Sequence, residues 1–444
     1  MGRGDTVAVL LPNCVELVVG MFAAWWLGAA LTPINPALTD PEVRYQLQDS
    51  TSVLVIGDVR AASIAGELDI THLPVDTLLE TGDPLEVPME ATEPDDFALV
   101  IYTSGTTGQP KGVLLDHANL TAMSDSLIQR LRLSAADVSL LVLPLFHVNG
   151  LVVSVLSTLR AGGSVVVGPK FSPATFWDAV ETYRPTYFSA VPTMYALIES
   201  HTERAVDTSS LRLAICGAAP MHSELIQRFD NKFSVPVVEG YGLSEGTVAS
   251  TLNPPEGPRK AGTVGTALPG QEVAVIDKQG NPLPPGASGE VVIRGGNVMR
   301  GYLGRPEASA AVLQGGWLHT GDVGVLDDDG YLTLVDRLKD MIIRGGENIY
   351  PKEIEIALYE HPCVLEAAVI GRHDDVLGEV PVAFVAAKPG TTLDPDELST
   401  HCAQRLARYK RPAEITVLPT LPKNSVGKLV KGALRDVSSQ RSVH

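Results

Sequence analysis

The residues best suited to chemistry stand in one run, Tyr102-Thr-Ser-Gly-Thr-Thr-Gly-Gln-Pro-Lys-Gly112. The hydroxyls of Thr103, Ser104, Thr106 and Thr107 are donors, and Gly105 and Gly108 let backbone N–H groups close on an anion. Lys111 adds a point charge. Such a run can hold phosphate, although the commonest fate of the composition is a surface turn. It is not a Walker A loop, because Pro110 precedes the lysine and Gly112 follows it, where that motif needs glycine and Ser or Thr. A second group is Glu239-Gly240-Tyr241-Gly242-Leu243-Ser244-Glu245. Its Gly-Tyr-Gly turn puts a flat ring beside a close backbone, which suits stacking on adenine. Ser244 can bond a phosphate oxygen, and Glu245 is a hard oxygen ligand suited to Mg²⁺. Three further candidates, taken singly, read as a packed core histidine or as solvated charges. They are His147 in Phe146-His-Val-Asn-Gly150, the pair Asp322 and Arg337, and Lys428 in Leu421-Pro-Lys-Asn-Ser-Val-Gly-Lys428.

The elements that must position these groups alternate. Phe97 to Ile101 is an apolar run that reads as a buried strand leading into the phosphate run. Ahead of it come a strand at 7–11, a helix from about Glu16 to Leu27, a helix near 40–48 and a strand at 52–56. Residues 80–96 are acidic and proline-containing and read as a loop. The rhythm is βαβ, which implies a largely parallel sheet covered by helices. A second block repeats it. Strands are expected at 138–143, 164–167, 187–190, 211–216 and 235–238, with helices from Phe146 to about Leu159 and at 173–183, 193–199 and 222–230. From about Gly262 short strands and Gly/Pro turns dominate, at 271–276, 289–294 and 331–335, and predict a small β-barrel. A helix starting at Pro351, a strand near 363–370, a helix at 395–407 and a strand at 414–417 predict a compact α+β unit of about 100 residues.

Composition bounds the rest. A chain of 444 residues is too long for one core. A formal charge of −18 argues against a general nucleic-acid binder, so a phosphate site must be locally basic. The four cysteines lack metal-like spacing and fit reduced thiols. The apolar stretch Leu17 to Leu31 falls short of the roughly 20 residues of a spanning helix, and Pro12 and Glu16 spoil a signal-peptide reading. A cytoplasmic protein is expected, and a homodimer is left open.

The motifs, in order, resemble those of the adenylate-forming superfamily, which holds acyl-CoA synthetases, adenylation domains of peptide synthetases and beetle luciferases. The resemblance spans nearly the whole chain. Its members usually carry some tens of residues ahead of the stretch matching residue 5; a naturally short start and a trimmed one fit equally. The resemblance implies an α/β fold with a large N-terminal domain over 1–336, made of two parallel-type α/β subdomains plus a small β-barrel. A hinge at 337–340 with Lys339 as pivot and a mobile α+β domain over 341–444 follow. It implies ATP, Mg²⁺ and CoA as cofactors and co-substrates. Thr103, Ser104, Gly105, Thr106, Thr107, Gly108 and Lys111 would hold the β and γ phosphates. Gly217, Ala218, Glu239, Gly240, Tyr241, Gly242 and Ser244 would line the nucleotide, Glu245 would carry Mg²⁺, and Asp322 with Arg337 would hold the ribose.

The implied chemistry is attack of a carboxylate on the α-phosphorus of ATP, giving an acyl-adenylate and pyrophosphate, followed by displacement of AMP by the CoA thiolate. Positioning and charge neutralisation carry such a reaction. Lys428 is implied as the catalytic lysine of the first step. Arg344-Gly345-Gly346 is implied at the CoA arm, where glycines leave room for pantetheine. His147 is implied as a gate to the acyl pocket, with Val148, Gly217 and Val248 lining it. Leu143 to Gly150, Phe171 to Trp177 and Phe188 to Thr193 resemble the branch that includes oxalate–CoA ligases. That branch usually carries a second histidine where Asn149 stands and a histidine after the Glu245 motif, where this chain reads Gly246-Thr247-Val248-Ala249. A small dianion needs donors there, since a buried unpaired carboxylate is costly, so a monocarboxylate with an apolar tail is favoured. Alternatives are a stand-alone adenylation enzyme loading a carrier-protein thiol, a non-catalytic ATP-binding protein, and a luciferase-like oxygenase sharing the first half-reaction.

Overall fold

The computed structural model describes residues 1–78, 92–103, 109–219, 221, 223–345, 347–374, 376–423 and 429–435. The chain divides into two compact units. The first comprises Met1–Ala274, Val292–His319 and Asp328–Leu332; the second comprises Val275–Val291, Thr320–Asp327 and Thr333–His444.

The first unit holds two seven-stranded sheets. One runs in the order Gly301–Tyr302, Lys111–Asp116, Phe97–Thr103, Ala30–Pro33, Thr6–Leu10, Ser52–Gly57 and Thr71–Pro74. Its central pairings are parallel, and the Lys111–Asp116 strand is antiparallel to both of its neighbours. Val7 and Val9 enter one buried cluster while Ala8 and Leu10 enter another. That two-sided burial is why the strand reads as an unbroken apolar run. The helix Val15–Trp26 buries Leu17, Gly20, Met21 and Ala24 on a single stripe, the spacing of an amphipathic helix packed on a sheet. No helix among the described residues is long and apolar enough to cross a membrane.

The second sheet runs in the order Thr266–Ala267, Thr251–Leu252, Val237–Tyr241, Leu213–Cys216, Tyr187–Ala190, Val138–Leu141 and Ser164–Val167. The last five are parallel. Leu120, Met123 and Leu127 of the helix His117–Leu131 share one core with Leu31 and Leu99 of the first sheet and Leu141 and Ile215 of the second. Each such burial contributes about 1.5–3 kcal/mol relative to exposure, so the two sheets of this unit are held as one body.

The helix expected from Phe146 starts later. Asn149–Leu156 is a π-helical segment that continues as the α-helix Ser157–Arg160. The preceding residues form a turn in which the His147 N–H bonds the Pro144 carbonyl at 3.2 Å. Gly150 permits it, because a Cβ there would lie 2.6 Å from the Pro144 oxygen. Wide helical turns of this kind recur at functional sites.

In the second unit the strands Glu347–Ile349, Ile342–Arg344, Gly378–Ala387 and Val364–Asp374 form a sheet in that order, and Glu414–Val417 joins parallel to Gly378–Ala387. The helices Pro351–Tyr359 and Pro395–Arg405 bury Ile354, Leu358, Leu398 and Cys402 with Val369 and Val385. The short strands expected after Gly262 are present as Gln271–Ile276, Ser288–Gly295 and Leu332–Arg337.

Candidate active site

The two stems of the phosphate run lie side by side. Thr103 ends one strand, Lys111 begins the next, and they face each other in the antiparallel register. Ser104, Gly105, Thr106, Thr107 and Gly108 lie outside the described residues. Each stem is tied down. The Tyr102 hydroxyl donates to Asp49 Oδ2 at 2.9 Å, and Asp49 Oδ1 accepts from Arg305 at 2.9 Å. The Tyr45 hydroxyl donates to the Pro110 carbonyl at 2.8 Å. Burial, then the Asp49 charge, pushes the Tyr102 phenol well up, so it stays a donor. The Lys111 ammonium lies 5.0 Å from the centre of the Tyr302 ring, within reach of a cation–π attraction.

Glu239, Gly240 and Tyr241 end the strand Val237–Tyr241, and Ser244 and Glu245 sit in the tight turn Ser244–Gly246. Glu239 is buried and accepts the Met221 N–H at 3.2 Å. Gly242 is obligatory: a Cβ there would stand 2.2 Å from the Val248 carbonyl oxygen. Glu245 Oε1 accepts from the Tyr302 hydroxyl at 2.8 Å. The backbone then strains. Thr247 has φ 53°, and Val248, a β-branched residue, has φ 103°. Such a conformation costs about 1–3 kcal/mol and clusters at working sites.

Gly217 and Gly240 lie together at the carboxyl ends of adjacent parallel strands, with Cys216 opposite Glu239. Ligands of open α/β sheets bind at such ends. A Cβ on Gly217 would come 3.5 Å from Asn149 Nδ2 and 3.9 Å from the Gly240 oxygen. Asn149 Oδ1 accepts from Ser189 at 2.8 Å, which aims the amide. Val148 is buried, and Ala218 adopts a positive φ of 68°. The Nε2 of His147 is buried with no hydrogen-bond partner among the described residues. Burial lowers its pKa to about 4, so the ring is neutral at pH 7.

In the second unit Arg337 Nε pairs with Asp322 Oδ1 at 3.0 Å, which brings together two groups from separate motifs. Lys339 falls in the 3₁₀ turn Leu338–Asp340. Lys352 flanks that turn, its N–H on Asp336 at 2.7 Å and its ammonium on the Leu334 carbonyl at 2.5 Å. Arg344 donates to the Tyr409 carbonyl at 2.7 Å, and Gly345 takes φ 57°. Gly346 and Lys428 lie outside the described residues. On either side of 424–428, Lys423 pairs with Glu366, and Lys431 with the half-buried Glu355 at 2.8 Å.

A family model described as AMP-binding enzyme matches residues 1–303, and its C-terminal domain matches residues 353–428. The chain belongs to the AMP-binding enzyme family. Feruloyl-CoA synthase from Amycolatopsis sp is 40% identical over 440 residues, covering 97% of this chain and 88% of that one. Oxalate–CoA ligase from Arabidopsis thaliana is 38% identical, covering 96% and 87%. O-succinylbenzoate coenzyme A synthetase from Bacillus subtilis, solved with ATP and a magnesium ion, superposes with a TM-score of 0.89 at 35% identity, covering 98% and 90%. The resemblance read from the motifs therefore holds, and so does the α/β fold. As a member of the AMP-binding enzymes this chain is an ATP-dependent, AMP-forming acid–CoA ligase that works through an acyl-adenylate.

Within this AMP-binding enzyme, sequence reasoning missed Tyr302, Arg305 and Asp49. Their only sequence signals were weak: a lone aromatic after Gly301, and an acidic residue ending a helix. Contacts bridging residues 49, 102 and 305 leave no local pattern to read.

Proposed function

We propose that the acid is a monocarboxylate with an unbranched or aromatic apolar tail. The observation that carries this reading is His147, whose Nε2 is buried with no hydrogen-bond partner among the described residues and whose ring is neutral at pH 7. Among the described residues, His147, Val148, Asn149 and Val248, the positions read as lining the acyl pocket, offer no cation to a second carboxylate, and an unpaired buried charge is costly. The relatives include both a feruloyl-CoA synthase and an oxalate–CoA ligase, so their names do not select the acid.

The same reading gives Thr103 and Lys111 the β and γ phosphates, Asp322 and Arg337 the ribose, Lys428 the first half-reaction, and Arg344 to Gly346 the CoA arm, with Lys339 as the pivot between domains. Mg²⁺ fits Glu245: a single carboxylate with one oxygen already oriented is the donor set this ion takes when phosphates supply the rest. When bound, the ion neutralises charge on the phosphate oxygens. The test is a swap. Asn149→His with Val248→His is expected to raise pyrophosphate release with oxalate or malonate and to lower it with apolar acids. No gain on the dianions contradicts the pocket assignment.

A further inference from the structure

We propose that Tyr302 is a positioning residue that holds the phosphate-loop lysine and the magnesium carboxylate at a fixed spacing. The proposal rests on reading Lys111 and Glu245 as nucleotide-site residues. Its basis is one side chain that meets two opposite charges. The ring lies under the Lys111 ammonium at 5.0 Å, and the hydroxyl donates to Glu245 at 2.8 Å. Among the described residues Lys111 and Glu245 make no ion pair with each other. The phenol stands between them, satisfies each, and leaves the lysine charge and the second carboxylate oxygen for a ligand. A direct ion pair would consume both.

The backbone makes this side chain a fixed strut. Gly301 and Tyr302 pair with Leu114 and Val113. The Leu303 N–H bonds the Gly112 carbonyl at 2.8 Å, one residue past Lys111, and the Met299 N–H bonds the Glu245 carbonyl at 2.8 Å. The Tyr302 N–H itself bonds Ser309 Oγ at 2.8 Å. Gly301 takes φ 145°, and a Cβ there would lie 2.9 Å from that same Oγ, so the approach needs glycine. Three residues on, Arg305 reaches Asp49, the anchor of Tyr102. The segment 299–305 thus grips both stems of the phosphate run and the carboxylate turn. A phenyl ring would fill the same space, so packing alone gives the hydroxyl no task.

The experiment titrates the full chain with ATP by calorimetry, once in EDTA and once with excess Mg²⁺. Tyr302→Phe keeps the ring and loses the hydroxyl; it is expected to bind metal-free ATP as the wild type does and to lose the Mg²⁺-dependent gain in affinity by about 10- to 100-fold, the usual effect of removing a partner of a metal ligand. Tyr302→Leu is expected to weaken metal-free ATP binding as well, by about threefold, as the lysine loses its aromatic platform. An undiminished Mg²⁺ gain in Tyr302→Phe overturns the proposal, as does an equal loss in both conditions, which marks a merely structural role. Should Tyr302→Leu fail to fold, the phenylalanine variant decides alone. Absence of ATP binding by the wild type overturns the nucleotide-site reading beneath it, and is told apart because no variant is then involved.

Discussion

The phosphate side and the acyl side of the first unit are built on opposite principles. On the proposed phosphate side polar groups are braced against one another: Tyr102 with Asp49, Asp49 with Arg305, Tyr302 with Glu245, Lys111 with an aromatic ring. On the proposed acyl side the buried Nε2 of His147 has no partner among the described residues, and a valine is held at φ 103°. In the proposed reading the first is a cross-braced cradle for a highly charged ligand, the ATP phosphates. In the same reading the second keeps a neutral, unsatisfied wall and a strained backbone where the acid would sit. An unpartnered buried nitrogen costs about 1–3 kcal/mol, which is tolerable at a place where a ligand group completes the hydrogen bond.

The largest expected effect tests whether chemistry can be separated from both walls. Lys428→Ala is expected to slow adenylate formation by roughly 10²–10³, by analogy with removal of a positioned transition-state donor. Every acid should suffer alike, and conversion of preformed acyl-adenylate with CoA should survive. Equal loss of both half-reactions in stopped-flow assays would remove Lys428 from its role.

The next effect isolates the unsatisfied histidine. The folded pKa of His147, about 4, lies below its ordinary value of 6.5. Between these values the unfolded chain binds a proton that the folded chain refuses. The stabilising difference is therefore present above pH 6.5 and is lost as pH falls toward 4. His147→Asn is expected to flatten the dependence by about 2–3 kcal/mol between pH 7.5 and 4.5, since each pKa unit is worth about 1.4 kcal/mol. Urea midpoints at the two pH values measure it. An unchanged slope would mean that the imidazole is solvated.

The smallest effect probes the strain. Val248→Gly and Val248→Ala both remove the branched side chain, but only glycine is at ease at φ 103°. The glycine variant is expected to be the more stable by about 1 kcal/mol. If alanine is equal or better by thermal unfolding, the backbone there is not strained.

Much of the frame was legible in the sequence. The strands at 187–190, 271–276 and 414–417 stand where apolar runs between turn residues placed them. Local pattern suffices for such elements because burial and turn chemistry are written within a few residues. The start of the helix after His147 was not legible, because Gly150 packing against the Pro144 carbonyl delays it. Nor was the bracing of the phosphate run. Asp49 could be read as a helix end and Arg305 as a solvated charge, and only the fold brings them to Tyr102. The pairing of Asp322 with Arg337 was read from motif order, not from spacing, and the ion pair at 3.0 Å brings the two together.

The central claim, a neutral acyl wall, is tested most directly by presenting the wild-type chain with a panel of carboxylic acids, ATP, Mg²⁺ and CoA and measuring pyrophosphate release. Unbranched and aromatic monocarboxylates should be the best substrates, with kcat/KM rising along a chain-length series until the pocket is full. Each added methylene is worth at most about 0.8 kcal/mol, or about a fourfold step. Oxalate and malonate should be poor. Preference for either dianion would contradict the account, and would require a cation on the acyl wall that neither His147 nor Asn149 supplies.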